Sequence, residues 1–297
     1  MDYPALPVSR QGELLELPRS SVYYLARPGA TENMEWMRRI DRQYWVTPFY
    51  GVRRMTAWLA RTGDVINGKR VRHLMRLMGR EAIYPRPRET GLSQADREAR
   101  KYPYRLGGLV IDRPDPVWAA DITYVPLRGS WACLVAILDW FSRWVVAWEL
   151  SPVLETVFCQ SAWPRALARG RKPGRFNTDQ GSQFTSGEFT GDLRNAGITL
   201  SLDGRGRAFD NSFVERLWRS VKYEDLYLHD YQTLGEAPRG LGRYFRFYNH
   251  QRVHQSLDYR TPAEVHRADG ADTPGQTRAV AGRGLFPPRP RPAAAPG

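Results

Sequence analysis

Two neighbouring apolar stretches decide the fold of this chain, "PVWAADITYVPL" (residues 116–127) and "WACLVAILDWFSRWVVAWEL" (residues 131–150). The first is rich in Val, Trp, Ile and Tyr and ends in a polar turn, which predicts a β-strand. The second is interrupted by a polar turn at 139–142 and predicts two more strands. Asp121 lies inside the first strand, where a carboxylate is costly unless it is paired or bound to a metal. We therefore predict a β-sheet whose first strand carries an acid.

The sequence beyond these strands alternates between helical and strand-like segments. The predicted elements are a helix, a strand, a helix, a strand and a long helix, at 153–169, 174–178, 186–196, 198–202 and about 211–228. Ser186 is placed to cap the second of these helices, and Gly197 to end it. The glycines of "DGRGRAFDN" (203–211) predict a mobile loop. The layout indicates a mixed α/β fold with a central sheet.

The segment before the sheet predicts a helix-turn-helix unit. Apolar residues recur at helical spacing in 47–63 and again in 67–80, and Asn67 is placed to cap the second helix. A unit of this kind can place its second helix on DNA. A basic helix face that is only solvated is the alternative. The candidate DNA-binding residues of the second helix are Lys69, Arg70, Arg72 and Arg76.

Charge and composition limit the possible functions. The chain of 297 residues has a formal net charge of +13, and residues 36–110 carry 17 Lys and Arg against 6 Asp and Glu. A basic block interleaved with aromatic residues favours a polyanion such as nucleic acid, and a solubilising surface is the alternative. The longest apolar run, residues 131–138, is too short to span a bilayer. The two cysteines lack zinc-finger spacing. We expect a soluble, intracellular protein with no membrane partner.

Three acidic residues are candidates for one common site. Asp121 is on the first strand, Asp179 ends the fourth, and Glu215 lies in the first turn of the helix after the fifth. Each has a plain alternative: Asp121 can face solvent on an edge strand, Asp179 can form a turn, and Glu215 can complete a capping box with Ser212. The 35 residues between Asp179 and Glu215 are the spacing found in the family that the chain resembles, and that resemblance favours a common site.

The chain resembles the DDE polynucleotidyl transferases, in particular the second-reading-frame product of insertion-sequence transposases of the retroviral-integrase type. The resemblance covers about residues 1–266. "YGVRRMTAWL" and "VRHLMRLMGREAIYP" are similar to the helix-turn-helix segment of such proteins. In the core, the similar motifs are "WAADITYVPL", "LVAILDWFSRWVVAWEL", "NTDQGSQFTS", "DNSFVERLWRSVKYE" and "YNHQRVHQSLDYRTPAEV".

The resemblance implies an RNase H-like catalytic core, a mixed five-stranded sheet with flanking helices, preceded by an α-helical helix-turn-helix region. It implies that Asp121, Asp179 and Glu215 are catalytic and hold two Mg²⁺ ions, for which Mn²⁺ can substitute, with Asp121 bridging both and no zinc. The implied reaction frees 3′-hydroxyls at element ends and joins them to target DNA. The implied partners are DNA, further copies of the chain on DNA, and an upstream-frame protein. The implied location is the bacterial cytoplasm, at the nucleoid.

Two cations follow Glu215 on its helix. Arg219 and Lys222 lie one and two turns later, on the same face as the acid. They can form ion pairs with Glu215 or contact phosphates beside the scissile bond, and we favour the phosphates because the metals require DNA there. Lys222 is expected on the surface, opposite an apolar stripe that includes Leu217 and Trp218.

The same reasoning predicts five segments. They are a short helical N-terminal segment (1–30), a helix-turn-helix region (31–85), a linker (86–110), the integrase catalytic core with a C-terminal helical extension (111–266) and a disordered tail (267–297).

Pro164 departs from the family pattern, because it falls within a predicted helix that it should bend or end. Two other functions stay open: a DNA-binding regulator without activity, and an RNase H-like nuclease or resolvase.

Overall fold

The computed structural model describes residues 7–18, 31–84, 106, 109–154, 156–168, 170–179, 182–202 and 212–268. The chain divides into two compact units, Met1–Ile83 and Tyr84–Gly297. The loop at 203–211, most of the predicted linker and nearly all of the predicted tail lie outside the described residues. The five predicted segment boundaries stay a prediction. None of the helices in the described ranges is both long and apolar enough to cross a membrane.

The N-terminal unit is helical. Asn67 caps its last helix, because the Asn67 side chain accepts a 2.8 Å hydrogen bond from the Lys69 amide. Met55, Leu59, Val71 and Leu74 are all fully buried, so the two helices that the sequence predicted pack through their apolar faces. The helices of this unit are α1 (Val8–Leu14), α2 (Thr31–Val46), α3 (Val52–Arg61) and α4 (Gly68–Leu77).

The second unit is built on a five-stranded mixed sheet with the strand order β3-β2-β1-β4-β5. The first three strands are antiparallel neighbours, and β4 and β5 add in parallel to β1. The strands are β1 (Val117–Leu127), β2 (Ser130–Asp139), β3 (Val145–Ser151), β4 (Arg175–Thr178) and β5 (Thr199–Leu202). Every strand predicted from the sequence is therefore present.

Helices cover both faces of this sheet. Ser186 caps α7 as predicted, since its hydroxyl accepts a 3.3 Å hydrogen bond from the Phe189 amide. Pro164 lies inside α5, which continues to Leu167, so the proline does not end that helix. The helices are α5 (Thr156–Leu167), α6 (Ser182–Thr185), α7 (Gly187–Asn195), α8 (Ser212–Val221), α9 (Tyr227–His229), α10 (Ala237–His250) and α11 (Pro262–Arg267).

Two clusters of buried residues lie between the sheet and the helices on its two faces. One face of the sheet packs against α8 and α10, with residues such as Leu217 and Leu241. The other face packs against α5 and α7, with residues such as Trp163 and Phe189. Alternate residues of a strand point to opposite faces, so Val117, Ala119 and Asp121 share the face that α8 covers. The sheet thereby presents the Asp121 carboxylate to α8.

Candidate active site

Asp121 is half-buried and held by two hydrogen bonds. The Ile122 amide donates to Oδ1 at 2.8 Å, and the Trp218 indole Nε1 donates to Oδ2 at 2.9 Å. The sequence placed Trp218 in the apolar stripe of its helix, and Trp218 is indeed buried. Its polar contact was missed. A buried Trp usually finds an acceptor for its N–H, and Trp218 shares a helix face with Glu215 three residues earlier, so the sequence did carry a signal.

The other two predicted acids come from separate elements. Asp179 directly follows β4, which ends at Thr178 and lies beside β1. Glu215 lies in the first turn of α8, the helix that covers the Asp121 face. Both side chains are exposed. Residues that are 58 and 94 positions from Asp121 in sequence are thus carried to the same region of the second unit.

Electrostatics show that the three carboxylates converge. Burial, repulsion from the Asp179 carboxylate and, less strongly, repulsion from Glu215 together raise the pKa of Asp121 from 3.8 to about 7, against the two hydrogen bonds. Like charges raise a carboxyl pKa in this way only when they lie close to it. The alternative in which Asp121 faces solvent at a sheet edge is wrong, because β1 is a central strand.

The carboxylates do not form a closed ligand set. Among the residues that the structure describes, no three His, Cys, Asp or Glu side chains are arranged to hold one metal ion. The oxygens of these carboxylates are nevertheless the hard ligands that Mg²⁺ and Mn²⁺ prefer.

The structure corrects the expected position of Lys222. It is half-buried, not on the surface, and burial lowers the pKa of its ammonium group, with the Asp121 carboxylate acting in the opposite sense. Arg219 is exposed and lies over the Tyr223 ring at 5.7 Å. Neither cation forms a salt bridge with Glu215 in the described part of the chain, so the intrahelical ion pair is absent. Lys222 is instead the cation beside Asp121.

A π-helical turn, Lys222–Leu226, continues α8 and is anchored in the core. Its Glu224 is buried and forms two hydrogen bonds with the guanidinium of Arg252, at 2.5 and 2.6 Å. Tyr244 donates to the same carboxylate at 3.1 Å, and Arg252 also donates to the Ser220 hydroxyl at 3.2 Å. π-turns often occur at functional sites. This network fixes the C-terminal end of the helix that carries Glu215 and Trp218.

The four predicted DNA-binding residues of α4 divide into two groups. Arg70 is half-buried and bonded within its own unit, to Glu32 at 3.0 Å and to Asn33 at 2.7 and 3.1 Å. Lys69, Arg72 and Arg76 are exposed, and none of them forms a salt bridge within the described residues. The structure thus leaves three side chains available to a ligand and gives Arg70 a role in packing.

Comparisons with known proteins agree with this architecture. A family described as "Integrase core domain" matches residues 112–208, a second family with the same description matches residues 196–262, and "HTH-like domain" matches residues 31–88. These matches confirm the predicted integrase-type α/β core and the helix-turn-helix region. The confirmed order is helix-turn-helix first and core second.

The chain is also similar to known transposases and to solved structures. The transposase for insertion sequence element IS904 of Lactococcus lactis is 30% identical over 73% of this chain and 87% of its own length. The transposase for IS629 of Shigella sonnei is 28% identical over 82% of each chain. The magnesium-bound catalytic core of HTLV-2 integrase is 23% identical over 52% of this chain and 97% of its own, with a TM-score of only 0.43. By its identity and coverage with the IS904 enzyme and its integrase core, this chain belongs to the family of insertion-sequence DNA transposases.

Proposed function

We propose that this transposase frees 3′-hydroxyls at the ends of an insertion sequence and joins them to target DNA, with Asp121, Asp179 and Glu215 as the catalytic carboxylates. One observation carries the assignment. The pKa of Asp121 stands at about 7 through burial and through the nearness of Asp179 and Glu215, which come from two other elements. A half-buried carboxyl group whose pKa is raised by burial and by nearby carboxylates is typical of a catalytic site.

The donor set fits a pair of divalent cations. Integrase-core enzymes depend on divalent metal ions, and carboxylate oxygens suit Mg²⁺, with Mn²⁺ as a substitute. Positive charge at this position would relieve the repulsion around Asp121. Because Asp179 and Glu215 are exposed, their side chains have room to move toward Asp121. We propose two Mg²⁺ ions here and no zinc site.

The reaction consists of two displacements at phosphorus. In the first, a water oxygen attacks the phosphorus at the element end, and the bond from phosphorus to O3′ breaks to leave a 3′-hydroxyl. In the second, that hydroxyl attacks a target phosphodiester and one target O3′ leaves, so the number of phosphodiester bonds is conserved. Bound divalent ions supply charge neutralisation at the attacking and leaving oxygens. No covalent enzyme intermediate is required.

The chain's own residues position these groups. The hydrogen bonds from Trp218 and Ile122 hold the Asp121 carboxylate in one orientation. We propose that Lys222, half-buried beside Asp121, and Arg219, exposed one turn earlier, contact phosphates next to the scissile bond. In the other unit, Lys69, Arg72 and Arg76 are proposed to contact the element ends. Assembly of several copies on DNA, with an upstream-frame partner, is a further proposal.

The test is 3′-end cleavage and strand transfer with element-end duplexes and Mg²⁺. Asp121→Asn, Asp179→Asn and Glu215→Gln should each abolish both steps while DNA binding and folding persist. Asp192→Asn, an exposed acid on α7, is the matched control and should remain active. Normal joining by any of the three variants would remove that residue from the site. Cleavage without joining by the wild-type protein would favour the nuclease, and DNA binding without either reaction would favour the regulator.

A further inference from the structure

Helix α10 displays a purely basic stripe. Arg239, Arg243, Arg246 and His250 follow one another at spacings of four, three and four residues and are all exposed. Such spacing places side chains on one face of a helix, over a length of about 16 Å. The helix contains no acidic residue, and its opposite face is buried in the core. The charged side chains of this helix therefore carry one sign of charge.

The stripe continues into a groove at the β3 edge of the sheet. The cavity there measures about 740 Å³, and its polar lining includes Arg246, His250, His266 and Arg267, while none of its lining residues is acidic. Its floor is aromatic and includes Trp148. We call the stripe and this groove together the α10 surface.

The basic residues of this surface divide into a group with partners and a group without a salt bridge in the described residues. Arg239, Arg243, Arg246 and Arg267 are exposed, and none of them forms a salt bridge in the part of the chain that the structure describes. Three other basic residues that line the groove have acidic partners: Arg171 is paired with Asp115 at 3.1 Å, Arg165 with Glu149, and His266 lies 3.9 Å from Asp139. An arginine that folding does not use keeps its planar fork of donors for an anionic ligand.

We propose that the α10 surface binds the phosphate backbone of DNA, as a second DNA contact of the catalytic unit, separate from the carboxylates and from α4. The inference rests on the proposed function, since it assumes a DNA substrate. In the sheet order, β2 lies between β3 and the strand that carries Asp121, so the groove lies about 10 Å to the side of that strand. DNA on this surface therefore need not occupy the catalytic carboxylates.

A second copy of the chain is the rival occupant, and the charges disfavour it. A two-fold interface presents the same patch from both subunits, so the α10 surface would oppose arginines with arginines. Like charges brought together in this way cost free energy. A DNA backbone offers regularly spaced negative charge without sequence requirement, which matches a stripe of three arginines and a histidine on one helix face.

The experiment measures DNA binding by the full-length protein without chemistry. Fluorescence anisotropy with a labelled duplex is recorded in EDTA across a range of salt concentrations. The double variant Arg243→Gln/Arg246→Gln should bind more weakly, and its slope of log affinity against log salt should shrink by about two units. Arg243→Lys/Arg246→Lys keeps both charges and should retain most of the slope. Arg194→Gln, an exposed arginine on α7 at the opposite sheet face, is the matched control.

The outcomes separate this inference from the proposed function. If the wild-type protein binds no DNA, the proposed function itself fails. If the wild type and the control bind but the double glutamine variant has an unchanged slope and affinity, the α10 surface is not a DNA contact and only this inference is overturned. Sedimentation of the same samples tests whether a second copy of the chain occupies the surface. A changed oligomeric state with unchanged DNA binding would assign the surface to a second copy. Equal melting temperatures show that the variants fold.

Discussion

The indole Nε1 of Trp218 donates a 2.9 Å hydrogen bond to Oδ2 of Asp121, which joins helix α8 to the central strand β1 across 97 residues of sequence. The same helix carries Glu215 in its first turn. One side chain therefore fixes both the orientation of the Asp121 carboxylate and the distance between strand and helix. This contact ties the geometry of two proposed catalytic acids to a residue that is not itself an acid.

Trp218→Phe tests that contact. Phenylalanine keeps most of the buried ring but removes the donor, so one Asp121 oxygen loses its partner, at a cost of about 1 kcal/mol. We expect the Mg²⁺ concentration for half-maximal joining to rise, with a smaller loss at saturating Mg²⁺. Trp163→Phe, which packs against Phe176 in the cluster on the other face of the sheet, is the control. An unchanged Mg²⁺ requirement in Trp218→Phe would show that the hydrogen bond does not position Asp121.

The raised pKa of Asp121 predicts a pH dependence of stability. The pKa is about 7 in the folded protein and 3.8 as the model-compound value, so the folded state binds the proton more tightly. Its contribution to stability is complete below pH 3.8 and is lost as the pH rises through about 7. In EDTA, the melting temperature of the wild type should therefore fall between pH 6 and pH 8 more than that of Asp121→Asn. Parallel profiles for the two proteins would contradict the shift.

A close approach in the core predicts a steric effect at Gly240. A Cβ atom at this position of α10 would overlap the ring of Tyr231, which is buried and whose hydroxyl donates to Asp225 at 2.9 Å. Gly240→Ala should destabilise the protein by about 1–3 kcal/mol, as overpacking does. Gly191→Ala on α7, where a Cβ meets nothing within 4 Å, is the control and should stabilise by about 0.5–1 kcal/mol. Chemical denaturation of both variants measures these changes in the free energy of unfolding.

The sequence predicted the strands and the helix-turn-helix region, which are confirmed, because these depend on local pattern. The catalytic role of the three acids stays a prediction. Residue alternation in β1 and the apolar stripe of α8 already determine which side of each element is buried. The sequence did not predict that Lys222 is half-buried beside Asp121, because this depends on how α8 and its π-turn lie against the sheet. Helical spacing alone predicted that Lys222 lies on the same helix face as Glu215. The bidentate pair of Glu224 with Arg252 likewise joins residues 28 apart and leaves no local signal.

The α4 arginines should separate into a packing residue and DNA contacts. Arg70→Ala removes the hydrogen bonds to Glu32 and Asn33, so it should lower the melting temperature of the protein. Arg72→Ala and Arg76→Ala touch no such contact. They should leave melting unchanged and reduce the slope of log affinity against log salt by about one unit each. Unchanged DNA binding in both variants would leave α4 as a solvated basic helix.

The final prediction concerns Lys222. Because burial lowers the pKa of its ammonium group, the fold does not depend on that charge, whereas its apolar stem contributes to packing. Lys222→Met should therefore keep the melting temperature close to that of the wild type, and Lys222→Ala should lower it. If the ammonium contacts a phosphate beside the scissile bond, both variants should lose most of their strand transfer.

Lys222→Arg retains the charge but changes its shape from a point-like ammonium to a planar fork, so it should keep part of the activity. Single-turnover joining and melting, measured on the same preparations, distinguish the two roles of the side chain. A purely structural lysine predicts that Lys222→Met joins DNA at the wild-type rate, since the stem is preserved. That result would exclude the phosphate contact, because the charge beside Asp121 would then have no part in the reaction.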